Sequence, residues 1–439
     1  LPMLLGKARE ASPSVEASFH SLRAAEAQLA EAKRLLIPTG NLEVLLAPTP
    51  RIDCNLPDDV VTTATPEERA SKDWRARHCL TTPSMPTPQL VGIEGFMVRF
   101  ELTLAWPIFT FGKLTAAREA ASAGVSAGHG RVGQARAQVE HEVRRAYFGL
   151  KLARELRSTI DEGKGHLDDA IKKVKEDLDQ DQGSSTVTDL RRLQVLAAEV
   201  NARRFETDRG EAMALAALRA LIPGLKHFDI DDAPLEAPPV AIRPAADYVE
   251  QARHRRPEVR LIDAGLAARR AAVKLQRATF FPDLLIVGRL SYAYTSSAET
   301  PQNAFFNNPL NGLGFGGGLA LRLSWDYGIK AARLARARAE LLETQALRRA
   351  ALGGIELEVE KARADIDESR RRIDATHEGE RVANQWLNAV SQKHSMGLAE
   401  TKEFGDALSA FFQMRLRWLQ ALYDSRMAQA SLIKATGTE

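Results

Sequence analysis

Catalysis and metal binding need reactive side chains at particular spacings, so these residues come first. The nine histidines of this 439-residue chain are scattered from His20 to His394. None forms a His-Glu-x-x-His pair or an i, i+4 helical pair that would aim two ring nitrogens at one metal. Serines and aspartates are plentiful, but no nucleophile with its base stands out. The glycines of 312–318 alternate with Leu313, Phe315 and Leu319, and no Lys-Ser/Thr follows them, so they mark a strand and not a phosphate loop. The two cysteines, Cys54 and Cys79, lie in one Pro/Thr-rich loop. A disulfide in an oxidising compartment fits them, with free thiols, or a metal shared with His78, as the alternatives. The expectation is no enzyme and no cofactor.

The elements around these residues point elsewhere. In Phe96–Trp106, residues Phe96, Val98, Phe100, Leu102, Leu104 and Trp106 share one parity, and Met97, Arg99, Glu101, Thr103 and Ala105 the other. A strand sends successive side chains to opposite faces, so one face is greasy and the other carries charge. About ten residues suit a tilted strand crossing a bilayer, with the charged face toward a watery lumen. No run of 18 apolar residues exists, so the chain can span a membrane only as a closed barrel. Leu1–Leu5 is too short for a signal peptide, and any export signal lies outside this numbering. The net charge of +3, from nearly balanced signs, leaves no nucleic-acid footprint.

Most of the rest reads as long helix. Val125, Val132, Val139, Ala146, Ala153 and Ile160 recur every seven residues, a coiled-coil seam. The expected helices are 4–11, 15–36, 114–182, 187–221, 330–395 and 401–435. The expected strands are 41–47, 96–106, 284–294 and 313–325, with Pro107 and Gly112 breaking the second. A polar loop with a short helix at 67–77 fills 48–90. The chain also repeats itself: Ala8, Pro13, Val15, Leu22 and Pro38 match Ala252, Pro257, Val259, Leu266 and Pro282 at one constant offset of 244. The organisation is therefore a first repeat over 1–222, a proline-rich connector over 223–244 and a second repeat over 245–439. The long helices would each run about 90 Å and need neighbours to bury their stripes. Four strands are too few to close a barrel. Three chains would supply twelve.

Certain stretches carry a family resemblance. Ala8-Arg-Glu-Ala-Ser-Pro13 and Ala252-Arg-His-Arg-Arg-Pro257 look like short opening helices, and Trp106-Pro-Ile-Phe-Thr-Phe-Gly-Lys113 looks like a strand-to-helix junction. Gly183-Ser-Ser-Thr-Val-Thr-Asp-Leu190 looks like a periplasmic hairpin turn. In order, spacing and duplication they resemble the TolC family of outer-membrane efflux and secretion ducts. The resemblance implies a mixed α and β membrane protein: a homotrimer with a 12-stranded outer-membrane β-barrel, four strands per chain, continued by a coiled-coil α-helical tunnel in the periplasm. It also implies outer-membrane lipid, a periplasmic adaptor and an inner-membrane transporter as partners, and passive export of small molecules or polypeptides.

Site expectations follow. Gly183, Ser184, Ser185, Thr186, Asp189, Gly397, Leu398, Thr401 and Glu403 form two turns that dock the adaptor or serve folding alone. Glu176, Asp177, Asp179 and Asp181 form an acidic collar at the tunnel entrance or a plain solvated helix end. Arg99, Glu101, Arg289 and Arg322 line the barrel lumen. Trp106, Pro107, Gly112, Trp325 and Gly328 make the strand-helix junctions, the second lacking a proline. A soluble or envelope coiled-coil scaffold without transport activity is the competing reading, and the aromatic-ended strands argue against it.

Overall fold

The structure, a computed structural model, describes residues 1–50, 56–79, 93–180, 186–225, 228, 230, 233–239, 242–299, 302, 310–396 and 398–438. The elements in chain order are α1 (Pro2–Ala11), α2 (Pro13–Arg34), β1 (Thr39–Pro50), α3 (Asp58–Thr63), α4 (Pro66–Ala70), α5 (Lys72–His78), β2 (Ile93–Phe109), α6 (Lys113–Asp179), α7 (Val187–Leu221), α8 (Ala245–Arg255), α9 (Pro257–Ala278), β3 (Asp283–Thr295), β4 (Gly312–Arg322), α10 (Tyr327–Ser395) and α11 (Thr401–Thr436). The chain divides into two compact units. One holds residues 29–120 and 270–339, and the other holds 1–28, 121–269 and 340–439.

The first unit is built on one antiparallel sheet in the order β1-β2-β3-β4. Its register sets like beside like. Leu42 faces Leu102, Val44 faces Phe100 and Leu46 faces Val98 across β1 and β2. Leu102 then meets Leu290, and Leu290 meets Phe315. Side chains alternate across a strand, so one apolar parity runs unbroken over four strands. Strands β1 and β2 are longer than the alternation indicates, reaching Pro50 and Phe109, whereas β4 stops at Arg322, short of the expected 325. Pro107 does not end β2. It sits where the β2–β3 register shifts, between Pro107 and Phe109, and a strand tolerates a residue with no N–H at such an irregularity. Trp325, by contrast, lies past the end of β4, and Gly328 lies inside α10. Among its described residues the long loop holds three short helices instead of one. Two of them start on capping side chains, Thr65 with Glu68 in a reciprocal capping box and Ser71 accepting from the Trp74 N–H.

The second unit is helical, and its core is written twice. One buried cluster contains Leu4, Ala8, Val15, Val139, Val143, Ala146, Leu150, Ala214 and Leu218. Another contains Tyr248, Ala252, Val259, Ile355, Val359, Ala362, Ile366, Ala428 and Leu432. Taken in order these are equivalent pairs, offset by 244 in α1–α2 and α8–α9, by 216 in α6 and α10, and by 214 in α7 and α11. The Arg9–Glu140 ion pair recurs at the same offsets as Arg253–Glu356. Pro13 and Pro257 each open a helix at the position where a missing N–H costs nothing. The seven-residue seam is buried at Val132, Val139, Ala146, Ala153 and Ile160, and continues through Leu167 and Val174. Leu167 and Val174 join a third cluster with Leu193 of α7, Leu387 and Val390 of α10, and Phe404, Leu408 and Phe411 of α11.

Candidate functional site

The sheet carries the first functional surface. On its apolar face Leu46, Leu313, Phe315, Leu319 and Leu321 are each at least two-thirds exposed, and Phe315 reaches 86%. Among the described residues nothing covers this face. Aromatic residues stand toward its ends, Phe96, Tyr292 and Tyr294 at one and Trp106 at the other, with Trp325 just past β4. An apolar band bounded by aromatic rows is the lipid-facing pattern of an outer-membrane strand.

The opposite face is polar. Arg99, Glu101, Arg289 and Arg322 all lie on it, with Asn41, Glu43 and Thr103. Glu101 lies directly across from Glu43, and Arg289 Nη2 reaches Glu101 Oε1 at 2.8 Å, offsetting that like-charge pairing. Glu43 is a functional candidate that sequence reasoning passed over; its position between the outward Leu42 and Val44 is the signal that reveals it. Arg322 stands apart at the end of β4, in register with Asp283, and the Asp283 carboxylate is paired with Lys113 Nζ at 2.8 Å.

The two strand-helix junctions are built differently. At the first, Phe111 and Gly112 both adopt left-handed backbone, φ +49° and +91°, between β2 and α6. Glycine meets that demand without steric cost; Phe111 is held there between Phe109 and Phe281, ring centroids at 4.7 and 5.6 Å. Trp106 Nε1 donates to the Leu36 carbonyl at 2.9 Å. At the second junction no described residue has positive φ. There Lys330 Nζ donates to the Ser324 carbonyl at 2.6 Å and lies 3.2 Å from Asp326.

The hairpin tips come next. Thr186 and Asp189 cap α7 reciprocally: each backbone N–H is taken by the other's side chain, at 3.1 and 3.2 Å. Their role in the fold is therefore to start the helix. Gly183, Ser184, Ser185, Asp181 and Gly397 lie outside the described residues. In the second turn Leu398 is exposed, as is Glu403, whereas Thr401 is buried with its hydroxyl 3.4 Å from His394 Nε2. Thr401 is thus turned inward, toward His394. Lys173 of α6 donates to the His394 carbonyl of α10 at 2.7 Å, and the His394 ring stacks on Phe404. Burial pushes His394 below its ordinary pKa, Lys173 adds to this, and Asp177 opposes it. The acidic group does not share one face: Asp177 is half-buried toward His394, while Glu176 and Asp179 are exposed.

Cys79 is buried and disulfide-bonded; Cys54 lies outside the described residues. Among the described residues no three His, Cys, Asp or Glu groups could hold a metal ion, and no helix is long and apolar enough to cross a membrane. Gly124-Val-Ser-Ala-Gly128 spells the hydrolase serine motif, a match that sequence reasoning missed. It lies inside α6, where Ser126 donates to the Ser122 carbonyl at 3.2 Å, a helical back-bond and not a strained nucleophile turn. A cavity of 540 Å³ between α6, α7, α10 and α11 is lined by Leu152, Leu156, Ile160 and Leu416 under an Arg203 and Arg417 rim, without a nucleophile-base pair.

A four-stranded sheet with one face for lipid and one for water, joined to long helical hairpins, defines an outer-membrane channel subunit. The sequence profile of the outer membrane efflux protein family matches residues 95–224 and 248–438, and the chain belongs to that family. It is accordingly an outer-membrane efflux channel with a periplasmic extension, a transport duct and not an enzyme. Its fold is shared by solved structures of low identity. The outer-membrane channel OprN aligns over 100% of this chain and 90% of its own, at 15% identity and TM-score 0.76. The Campylobacter jejuni CmeC outer membrane channel aligns over 99% and 85%, at 15% and 0.74. The Vibrio cholerae outer membrane protein VceC aligns over 100% and 96%, at 16% and 0.74. No curated protein matches the chain in sequence.

Proposed function

We propose that three copies of this chain close their sheets into one 12-stranded barrel and form the passive exit duct of a tripartite efflux or type I secretion system. The observation that carries this reading is the sheet itself. Its edge strands β1 and β4 each have a neighbour on one side only, and its apolar face is exposed along its length. Edge groups left unpaired in hydrocarbon cost several kcal/mol each, which closure removes. Four strands per copy and an even total with a water-filled interior agree with a trimer. Native mass spectrometry of the detergent-extracted protein tests this: a trimer is expected, and a stable monomer would refute it.

The second half of the proposal concerns partners. Val187 at the start of α7, and Met396 and Leu398 between α10 and α11, are large apolar residues exposed at the hairpin ends. Scattered exposed apolar residues need no explanation, but three at the two turns fit a docking surface for a periplasmic adaptor, which in turn engages an inner-membrane transporter. Leu398→Glu is expected to leave trimer yield unchanged and to abolish export in cells. Undiminished export by the assembled variant would exclude this docking mode.

A further inference from the structure

The polar face of the sheet is not exposed along its whole length. On the polar face of β1, Glu43 and Leu45 are exposed, Ala47 is half-buried and Thr49 is buried. On β3, Arg289 is exposed at 63%, while Ala293 falls to 9% and Thr295 to 2%. Tyr292 and Tyr294, on the apolar face of the same strand, remain 45% exposed. Something therefore covers the polar face alone, at the end of the sheet away from the long helices. Over Thr295 the cover is the start of the β4 side, where the Thr295 hydroxyl donates to the Leu310 carbonyl at 3.0 Å; over Thr49 it is the turn after β3. Ser297 Oγ lies 2.8 Å from Thr49 Oγ1 and donates to the Pro50 carbonyl at 2.8 Å. It packs so closely on Gly95 of β2 that a Cβ there would stand 2.5 Å from the Ser297 Cβ. Thr49 and Gly95 are register partners on the polar parity, so the turn curls inward across that face.

A second layer fastens this turn. Arg75 of α5 donates from Nε to Glu299 Oε1 at 2.7 Å, with the two side chains only 23% and 12% exposed. Gln302 N–H donates to the Ala76 carbonyl at 2.9 Å. The helical insertion between β1 and β2 is thus tied to the connection between β3 and β4. A charge-assisted pair shielded from water is held more firmly than a surface pair.

Taken with the trimeric barrel proposed above, on which this rests, we infer that the outer mouth is a size-selecting constriction of the duct, made by the inward turn at 295–299 and held by the Arg75–Glu299 pair. The tips then admit cargo, and the mouth limits what passes the outer end in either direction.

The test places a thiol deep to the constriction. Thr103→Cys lies on the polar face, exposed, several rows below the turn. Intact cells are treated from outside with a small membrane-impermeant maleimide and with a bulky polymer-linked one. The chain without the added thiol serves as the blank, and native mass spectrometry confirms trimer in every variant. With the latch intact, the small reagent labels Cys at 103 and the bulky one does not. Arg75→Ala or Glu299→Gln should raise bulky-reagent labelling severalfold, and the charge swap Arg75→Glu with Glu299→Arg should return it toward the starting level. Ready labelling by the bulky reagent with the latch intact would overturn the constriction. Unchanged exclusion in trimeric Arg75→Ala and Glu299→Gln would overturn the latch. Failure of the small reagent to label a trimer would overturn the lumen reading itself and the constriction with it.

Discussion

At the scale of single residues, neighbouring positions in this chain face opposite solvents. Leu102 sits mid-sheet between Leu42 and Leu290, all on the apolar face, while Thr103 beside it sits between Asn41 and Arg289. Leu102→Arg is therefore expected to cost about 2–4 kcal/mol if it lies near the membrane midplane, and Thr103→Arg to assemble normally. Trimer yield after refolding into detergent reads the difference, and equal defects would mean the faces are exchanged. His141 makes a second prediction. It is buried between α6 and α11, with its Nδ1 lacking a hydrogen-bond partner. Burial first, then Lys434 of α11 and Arg145 and Arg144 of α6, push its pKa below the ordinary value, while the Ala430 carbonyl pulls upward. The folded ring is neutral, and the unfolded one takes a proton near pH 6.5. Below that pH the unfolded chain binds more protons, so stability falls with pH until the depressed folded pKa is reached. The thermal midpoint of the helical signal should drop from neutral to mildly acidic buffer. His141→Phe should flatten the drop in part, leaving the share that comes from His394, which is shifted in the same direction.

At the scale of elements, helix contacts depend on where side chains are missing. Gly163 and Gly165 lie in the same helix, α6. A Cβ on Gly163 would fall 1.6 Å from Phe412 Cζ of α11, whereas one on Gly165 would meet nothing within 4 Å. Gly163→Ala should therefore destabilise by about 1–3 kcal/mol through overpacking. Gly165→Ala should stabilise by about 0.5–1 kcal/mol through helix propensity. Denaturant unfolding checks the sign of each, and like signs would dissolve the knob-in-glycine contact. This contact was not legible in the sequence, because α6 and α11 meet some 250 positions apart and a lone glycine gives no period. What was legible had a long period behind it. The seven-residue seam of α6, the 244-residue repeat and the parity of β2 each rest on many residues agreeing. The strand ends and the passage of β2 through Pro107 were not legible, and the β1–β2 insertion was legible only as one helix over 67–77, where the structure has α4 and α5, with α3 unseen. Helices of five to seven residues carry less than two turns of pattern, and strand ends are fixed by partners instead of alternation. At the tips the sequence located the turns, but the capping work of Thr186 and Asp189 and the inward position of Thr401 depend on hydrogen bonds that only the fold displays.

At the scale of the whole molecule, the duplication is faithful in the core and uneven at the surface. The equivalent hairpin helices α7 and α11 are of nearly equal length, yet α11 has fourteen buried residues and α7 has four. The surplus exposure on α7 is apolar at Val195, Phe205 and Met213, and helical geometry gathers these within about a quarter turn. On α10, Leu342, Leu357, Val382 and Trp386 are likewise exposed and fall along one side. A single chain gains nothing from two greasy stripes in water, whereas a ring of copies can set one stripe against the other. A trimer, as proposed above, would account for an asymmetry that the repeat alone does not, and it predicts where assembly is vulnerable. Phe205→Glu and Trp386→Glu each introduce a charge at a position exposed in the isolated chain, so each should leave helix content and hairpin packing intact. In the trimer each charge would be desolvated without a partner, at a cost of several kcal/mol. Native mass spectrometry should then show monomer in place of trimer for both variants, with the circular dichroism of the parent chain. Surface changes away from both stripes, such as Arg203→Glu beside Glu206 on α7, should leave the trimer fraction unchanged. A full yield of trimer from Phe205→Glu and Trp386→Glu would place the copy-to-copy contact on other faces of these helices.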